Sequence, residues 1–169
     1  MKPTIEDFFE GTDHAAVDRL DLHRYMGTWY EIARFDHRFE RGLSEVTATY
    51  TLMPDGTVRV ENRGCKHKKP YDVCKTAEGR AKIPDPSQPG KLKVSFFLSF
   101  YSDYYVLELD QDEYNYALIG SSSDKYLWIL SRAPILPEEI KKKLLDAATR
   151  RGYDVKKLIW VEQREKKIM

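Results

Sequence analysis

The sequence predicts an all-β fold: an eight-stranded antiparallel up-and-down β-barrel with one C-terminal α-helix on its outer wall and a final short strand. Eight short segments with strand patterns follow one another at near-even spacing between residues 27 and 132. Their connections are short and polar, so neighbours in sequence should pair antiparallel. One amphipathic helical stretch and one last strand follow. Closing such a sheet into a barrel removes its two exposed edges.

The strand pattern is clearest in 46-VTATYTL-52 and 57-TVRVENRG-64, where apolar residues alternate with polar ones. The turn signal 54-PDG-56 separates them, so residues 45–65 are predicted to form a hairpin. The opening strand is predicted within 27–39, and the others at 73–83, 92–97, 104–110, 115–120, 126–132 and, after the helix, 157–163.

The helix is predicted in the stretch 138-EEIKKKLLDAATRRG-152. It begins with two glutamates after a proline, carries basic residues near its end and closes on Gly152, a C-cap signal. Its apolar residues form one stripe, namely Ile140, Leu144, Ala147 and Ala148. An eight-stranded barrel is too narrow to hold a helix, so this stripe should pack on the outer wall.

The later strands supply a matching surface, because both of their faces are apolar. The residues predicted to point outward are Tyr105, Leu107, Leu109, Leu127 and Ile129, and those predicted to point inward are Tyr104, Val106, Glu108, Tyr126, Trp128 and Leu130.

Length and composition favour one soluble domain. The chain has 169 residues, of which 41% are apolar and 33% charged. We place the domain at 23–165, between a lead-in at 1–22 and a polar tail at 166–169. A net charge of +1 gives no global field that would attract nucleic acid. No catalytic, metal-binding or phosphate-binding motif occurs, so we expect no enzyme, metal or cofactor. Both a monomer and a homodimer remain open.

The first residues of the chain carry information on the cellular compartment of the protein. Its first residues, MKPTIEDFFEGTD, contain neither the apolar core nor the small-residue cleavage site of a signal peptide. Two locations stay open: the periplasm or outer membrane if a signal was removed, and the cytoplasm otherwise.

Three blocks resemble the lipocalin family, in its bacterial lipocalin and apolipoprotein D-like branch. The block 25-YMGTWYEIARF-35 matches the Gly-x-Trp signature of that family. The block 112-DEYNYALI-119 resembles its TDYxxY block, with Asp112-Glu113 in place of Thr-Asp. The third, 128-WILSRAP-134, carries the family's arginine before the helix, Arg132.

This resemblance implies a calyx, open at one end, that binds a small apolar ligand. For the bacterial branch it implies a fatty acid or lysophospholipid as partner and association with the outer membrane, although no lipoprotein-type cysteine is visible near the start. It also implies that Gly27 and Trp29 close the floor of the barrel, with Arg132 packed across the indole. We therefore predict a transport or storage protein for a small lipid.

Inward positions on the predicted strands define the calyx wall. Small residues in the fourth strand leave space, and tyrosine hydroxyls bring polar groups into an apolar room. A barrel fully packed with side chains is the alternative. The predicted ligand-binding residues are Trp29, Glu31, Ala33, Phe35, Phe39, Tyr50, Val60, Ala77, Phe96, Tyr104, Val106, Tyr126 and Trp128.

Two glutamates pose a problem for such a calyx. Glu31 shares strand parity with Trp29, and Glu108 shares it with Val106, so both are predicted to point inward. A buried carboxylate must find a donor or become neutral. We hypothesise that one of them is a polar anchor in the calyx. The alternatives are a structural hydrogen bond to a Tyr or Arg, and a strand kink that turns the side chain outward.

Cys65 and Cys74 flank the loop between the third and fourth strands and lack the spacing of a zinc or redox site. We predict a disulfide, and with it an extracytoplasmic location; two free thiols are the alternative. Direct pairing of the cysteines would place Glu61 against Glu78. Charge therefore favours a register shifted by two residues, which a bulge at Gly64 would reconcile with the disulfide.

The loop 36–44 is predicted at the open end. It combines apolar and basic residues, namely Phe39 and Leu43 with His37, Arg38 and Arg41. Such a rim suits an amphipathic ligand with an anionic head; an ordinary solvated loop is the alternative.

Two rival functions remain open. One is a lipocalin-fold isomerase or hydrolase that uses Glu31, Glu108 or a calyx tyrosine as acid or base; perturbed carboxyl groups close together in a deep cavity would favour it. The other is a haem carrier that uses His37 or a tyrosine. Binding a lipid needs only a cavity and its rim, so it is the primary prediction.

Overall fold

The structure is a computed structural model that describes residues 11–97 and 100–164, with the side chains of Phe97 and Phe100 left aside. The tail at 166–169 and the first ten residues of the lead-in lie outside the described residues. The barrel strands are β1 Gly27–Phe35, β2 Ser44–Leu52, β3 Val58–Lys66, β4 Val73–Lys82, β5 Lys91–Phe97, β6 Phe100–Leu109, β7 Tyr116–Gly120 and β8 Trp128–Ser131. The other elements are a one-turn helix α1 Leu22–Tyr25, helix α2 Glu138–Arg151, a 3-10 turn Val155–Lys157 and strand β9 Leu158–Trp160.

The eight strands form the closed antiparallel barrel that the sequence predicts. Each strand from β2 to β8 pairs with the next along the chain, and β1 pairs with both β8 and β2. The closing contact to β2 uses only Gly27–Tyr30. Because β1 diverges from β2 after this point, its end at Ala33–Phe35 is free to pair with β9 instead.

A bulge in β1 decides which side chains enter the barrel. Its register against β8 shifts between Glu31 and Ala33, so Ile32 and Ala33 both pack in the outer layer. The shift reverses the side-chain parity of the rest of the strand. Arg34, which simple alternation places outside, therefore points into the barrel and is 1% exposed.

The C-terminal segment covers the gap between β1 and β2. The side-chain amide of Gln163 donates to the carbonyl oxygens of Glu31 and Val46, at 2.8 Å each. Backbone bonds from Val161 to Ile32 and from Glu45 to Glu162 complete the seal. Backbone groups that the bulge leaves without strand partners are thus satisfied.

Two apolar layers separate the inside of the barrel from its helix-covered wall. The inner layer is Tyr25, Trp29, Tyr50, Val58, Val60, Ala81, Leu92, Val94, Val106, Tyr114, Ala117, Ile119 and Leu130. The outer layer is Ile32, Ala33, Phe35, Leu107, Leu118, Leu127, Ile129, Leu136, Leu144, Ala148, Tyr153 and Leu158.

Helix α2 lies on the outer wall, as predicted. Its buried residues are Leu144, Ala147 and Ala148, and Ile140 packs beside them. It ends at Gly152, whose φ of 100° is the left-handed conformation that glycine adopts freely. Within the described part of the chain, no helix has the length and apolar character needed to cross a bilayer.

A second bulge corrects the prediction for β6. The register against β7 shifts between Val106 and Glu108, so Leu107 joins the outer layer while Leu109 packs inside. Glu108, predicted to point inward, therefore lies on the outside, where its carboxylate accepts from Arg151 Nε at 3.3 Å.

The predicted register between β3 and β4 is also wrong. Nine consecutive pairs, from Val58 to Lys66, run without a bulge and place Cys65 opposite Cys74. The two cysteines form a disulfide. Direct pairing does put Glu61 opposite Glu78, but Arg59 lies between them, 2.7 Å from the first carboxylate and 2.8 Å from the second. A diagonal arginine thus offsets the repulsion that was expected to move the register.

Candidate functional site: the calyx and its mouth

An arginine clamp closes the floor of the barrel. The guanidinium carbon of Arg132 lies 3.9 Å from the ring centroid of Trp29, a cation–π contact worth about 0.5–2 kcal/mol. The same guanidinium donates to three backbone carbonyls, those of Arg24, Thr28 and Tyr114. Gly27 has a φ of 96°, and a Cβ there would lie 3.3 Å from Arg132 Nη1. A side chain at this position would therefore strain the backbone and crowd the clamp.

Three tyrosine hydroxyls form a chain above the floor. The hydroxyl of Tyr104 lies 2.5 Å from that of Tyr25 and 2.9 Å from that of Tyr50. Burial raises the pKa of all three phenols, so they stay neutral. Two such bonds use two of the three hydroxyl protons, which leaves one for a further acceptor. An adjoining cavity of about 10 Å³ has room for roughly one water molecule.

The bulge in β1 places a hydrogen-bonded arginine and glutamic acid inside the calyx. Arg34 Nη1 donates to Glu31 Oε2 at 3.0 Å, and both side chains are at most 5% exposed. Arg34 also donates to the backbone oxygens of Glu40 and Leu43. It therefore fastens the β1–β2 connection, residues 36–43, across the top of the barrel interior; we call this connection the lid.

Glu40 is the centre of the contacts under the lid. Its Oε1 lies 2.7 Å from His37 Nε2 and accepts from Trp128 Nε1 at 2.8 Å. The ring of Trp128 stacks on Tyr126 with centroids 5.6 Å apart, and His37 meets both rings edge-on. His37 and Glu40 of the lid thus pack against the rings of Tyr126 and Trp128 on the barrel.

The two carboxyl groups titrate in opposite directions. Burial, followed by the nearby Glu40 carboxylate, raises the pKa of Glu31 well above its ordinary value, although Arg34 opposes this. Burial by itself would raise the pKa of Glu40 too, but hydrogen bonds from His37, Glu31 and Trp128 outweigh it and lower that pKa. The geometry therefore favours a neutral carboxyl at Glu31 and a carboxylate at Glu40.

The mouth of the calyx is open on the β3–β4 side. The inner face that holds Val60 and Gly79 continues upward through the pairs Asn62–Ala77, Gly64–Lys75 and Lys66–Val73. Ala77 is exposed although it faces inward, so solvent reaches this level. The two lysines project on the inner face at the top of the wall, next to Leu43 of the lid, which packs against Gly64.

Two of the predicted wall residues are misplaced. Ala33 and Phe35 were expected inside, but the bulge at Ile32 turns both into the outer layer, where they pack with Tyr153 and Leu158. The other predicted wall residues lie on the inner side or at the mouth, namely Trp29, Glu31, Tyr50, Val60, Ala77, Phe96, Tyr104, Val106, Tyr126 and Trp128.

The lid residues lie at the rim. Phe39 is 63% exposed, and the guanidinium of Arg38 lies 4.8 Å from its ring centroid. Arg41 is paired with Asp36 at 3.2 Å. His37, named for the haem alternative, points inward and is held by Glu40.

Sequence reasoning missed four polar residues of this site: Arg34, Glu40, Lys66 and Lys75. Arg34 was not named, because alternation with Ala33 and Phe35 inside leaves it outside, and the bulge that turns it inward has no clear local signal in the sequence. The lysines did carry a signal, because both share parity with inward residues of their strands.

Known proteins resemble this chain over most of its length. The sequence model of the lipocalin-like domain family matches residues 20–163. Outer membrane lipoprotein Blc of Citrobacter freundii is 50% identical over 147 residues, which cover 87% of this chain and 81% of that protein. Apolipoprotein D of Mus musculus is 34% identical over 154 residues, covering 86% and 78%.

Among solved structures, insecticyanin from the tobacco hornworm Manduca sexta superposes with a TM-score of 0.73 at 24% identity, covering 90% of this chain and 86% of that one. This likeness shows the fold.

Proposed function

The chain belongs to the lipocalin family, and from that premise we propose that its barrel binds a small amphipathic lipid, a fatty acid or a lysophospholipid, for transport or storage. The acyl chain lies in the calyx, and the anionic head lies at the mouth.

The observation that carries this proposal is the pair of inner-face lysines, Lys66 and Lys75. Neither forms an ion pair with any described residue, although both stand directly above the apolar wall. An anionic head that rises from the calyx passes between them. A carboxylate or phosphate there gains charge-assisted hydrogen bonds, whereas a neutral head gains little.

The wall below suits an acyl chain. Tyr50, Val60, Phe96 and Trp128 pack on the inner side, and burial of apolar surface stabilises a bound chain by about 25 cal/mol per Å². The ring of Phe96 packs over Gly79, where a Cβ would lie only 2.8 Å from it, so an apolar ring covers this part of the wall.

We place the protein outside the cytoplasm. The disulfide between Cys65 and Cys74 is of a kind that persists in oxidising compartments. Relatives named outer membrane lipoproteins support the same placement.

Palmitate and hexadecanol make a matched test, because they share a chain and differ in head charge. We expect native mass spectrometry to detect both complexes and titration to give tighter binding of palmitate. The double variant Lys66→Gln/Lys75→Gln should lose most of this preference while it still binds the alcohol. A control, Lys142→Gln/Lys156→Gln, removes the same charge from exposed positions on the helix side and should leave the preference unchanged. If neither ligand binds, or if the preference survives in the first variant, the proposal is wrong.

A second candidate, a lipid hydrolase or isomerase, rests on the perturbed pair Glu31 and Glu40. The contacts favour a structural role, because Arg34 binds one oxygen of Glu31 and Trp128 binds one oxygen of Glu40. Incubation with lysophosphatidylcholine and mass analysis of the products distinguishes the two: release of fatty acid that Glu40→Gln abolishes would establish the enzyme.

A further inference from the structure

The connections at the closed end of the barrel are acidic, while Arg24 and Arg132 lie beside them at the floor. The closed-end connections are 53–57, 83–90 and 110–115. Together they carry five acidic residues and no Lys or Arg. Alternate connections of an antiparallel meander lie at the same end, so these acids share one pole. The acidic residues are Asp55, Asp85, Asp110, Asp112 and Glu113.

The opposite end is basic on one side. The lid ends beside the β3–β4 connection, residues 67–72, since Ser44, the first residue after the lid, has its Oγ 2.8 Å from His67 Nε2. The surface formed by Arg38, Phe39, Lys68, Lys69 and Tyr71 is called the basic rim below. Its three cations are exposed, and within the described residues none of them forms an ion pair.

Three acidic residues near the basic rim are already engaged. Asp36 pairs with Arg41 at 3.2 Å, and Asp72 with Arg164 at 3.2 Å. The Glu40 carboxylate turns inward to Trp128. These three carboxylates therefore do not neutralise Arg38, Lys68 and Lys69, whereas the whole chain is nearly neutral.

Two large aromatic side chains stand among these cations. Tyr71 is 72% exposed and Phe39 is 63% exposed. Burying such rings on a partner is favourable, and aromatic side chains partition into the headgroup region of bilayers. Aromatic rings beside unpaired cations suit a surface that offers both negative charge and apolar depth.

We propose that the basic rim docks the open end of the barrel onto an anionic lipid bilayer, with the acidic closed end pointing away. The charge asymmetry orients the molecule before contact. Each rim cation then contributes about 1 kcal/mol near the membrane surface, and the rings of Phe39 and Tyr71 enter the headgroup layer. The inference concerns the outside of the barrel, so it holds whatever the calyx contains.

Vesicle sedimentation of the whole chain tests the proposal, with phosphatidylcholine vesicles that contain or lack phosphatidylglycerol. We expect binding only to the anionic vesicles. It should weaken when salt rises from about 0.1 M to about 1 M, which shortens the Debye length from about 10 Å to about 3 Å. Lys68→Ser/Lys69→Ser should lower the partition coefficient roughly 30-fold, the equivalent of about 2 kcal/mol at about 1 kcal/mol per lysine.

Matched variants separate docking from general effects. Lys142→Ser/Lys156→Ser removes the same charge from the helix side and should change the partition coefficient less than twofold, a loss well under the ~1 kcal/mol expected per rim cation. Phe39→Ser/Tyr71→Ser should weaken vesicle binding, whereas Ile135→Ser, at another exposed apolar position, should not. Circular dichroism shows that each variant is folded, and palmitate titration of Lys68→Ser/Lys69→Ser shows that its calyx is intact.

An acidic macromolecule is the competing partner, and soluble polyglutamate is its probe. Weak polyglutamate binding together with strong vesicle binding supports the bilayer. The proposal is wrong if polyglutamate and anionic vesicles bind equally well and Phe39→Ser/Tyr71→Ser changes neither affinity. It is also wrong if the protein binds equally to vesicles with and without phosphatidylglycerol. Docking without palmitate binding would leave this inference standing and would contradict only the proposed ligand.

Discussion

Arg34 donates to Glu31 across 3.0 Å inside the barrel, although the two residues are three apart on one strand. Regular alternation would place them on opposite faces. The bulge between them turns Arg34 to the side that Glu31 already faces, and Arg34 then joins the strand to the lid through the backbone of Glu40 and Leu43. The lid is thus held from within, by a charge that the fold has to neutralise.

Replacing that arginine should loosen the lid and destabilise the fold. Arg34→Met leaves the Glu40 carboxylate, 3.9 Å from the guanidinium, without this cation and the carbonyl oxygens of Glu40 and Leu43 without a donor. Leaving a buried charge uncompensated costs about 3–5 kcal/mol in the free energy of unfolding. Urea denaturation measures the loss. Arg38→Met, four residues along and exposed, is the control and should change stability by about 0.5 kcal/mol or less. Equal stability of the two variants would mean that the buried pair contributes nothing.

Glu31 should make the protein less stable as pH rises. Burial, followed by the nearby Glu40, raises its pKa in the folded state above the ordinary value of 4.5. The folded protein then keeps a proton that the unfolded chain has lost, so this contribution is complete below 4.5 and disappears as pH climbs through the raised pKa. Glu31→Gln cannot ionise and should flatten this decline. Unfolding free energies from about pH 5 to about pH 8 test it; an unchanged slope would contradict the neutral carboxyl.

Glu40 should show the opposite dependence. Burial would raise its pKa, but hydrogen bonds from His37, Glu31 and Trp128 lower it below 4.5. Its contribution is therefore present above 4.5 and is lost as pH falls through the lowered pKa. Glu40→Gln should lower stability at neutral pH by about 1.5–3 kcal/mol, the range for hydrogen bonds to a charged group. The same variant should lose less on acidification than the parent, and a larger acid loss would refute the assignment.

The tyrosine chain gives a test of the calyx interior. Tyr104→Phe removes the hydroxyl that links Tyr25 and Tyr50. Leaving buried hydroxyls without partners costs about 1–3 kcal/mol. Tyr105→Phe, on the outer side of the same strand, is the matched control and should be close to neutral. The thermal unfolding curve of Tyr104→Phe should lie at clearly lower temperature than that of Tyr105→Phe. Overlapping curves would show that the hydrogen bonds between the tyrosine hydroxyls add no stability.

The disulfide should stabilise the β3–β4 hairpin. A loop closed over nine residues corresponds to about 2–3 kcal/mol from restriction of the unfolded chain. Cys65→Ser/Cys74→Ser should lose that amount in urea denaturation without losing the fold. Intact mass after alkylation, with and without reductant, reports the bond itself, and two alkylated thiols in the untreated protein would contradict it.

Local patterns were enough to predict the barrel, the helix and the face that the helix buries. Alternation in β2 and β3 and the stripe at Ile140, Leu144 and Ala148 depend only on the spacing of neighbouring residues. The positions of Trp29 and Arg132 followed from a family resemblance, because nothing local relates residues so far apart in sequence.

The face of the sheet to which side chains point beyond a bulge could not be predicted in this way. Ala33, Phe35 and Glu108 were assigned to the wrong face, because one extra residue in a strand reverses every side chain beyond it. The partner strand and the packing on both faces decide whether that residue is accommodated. The same holds for the register of β3, where Arg59 offsets two facing glutamates through contacts that no pairwise rule contains.

The sequence by itself therefore determined the number and order of strands, the single helix and the apolar character of the calyx, since these depend on periodicity along the chain. Only the tertiary structure decided that Arg34 enters the barrel, that Glu40 folds back to meet it and that Lys66 and Lys75 stand at the mouth without an ion-pair partner among the described residues. Burial makes an unpaired charge costly, so these side chains take their places only when strands, lid and C-terminal segment close around them together.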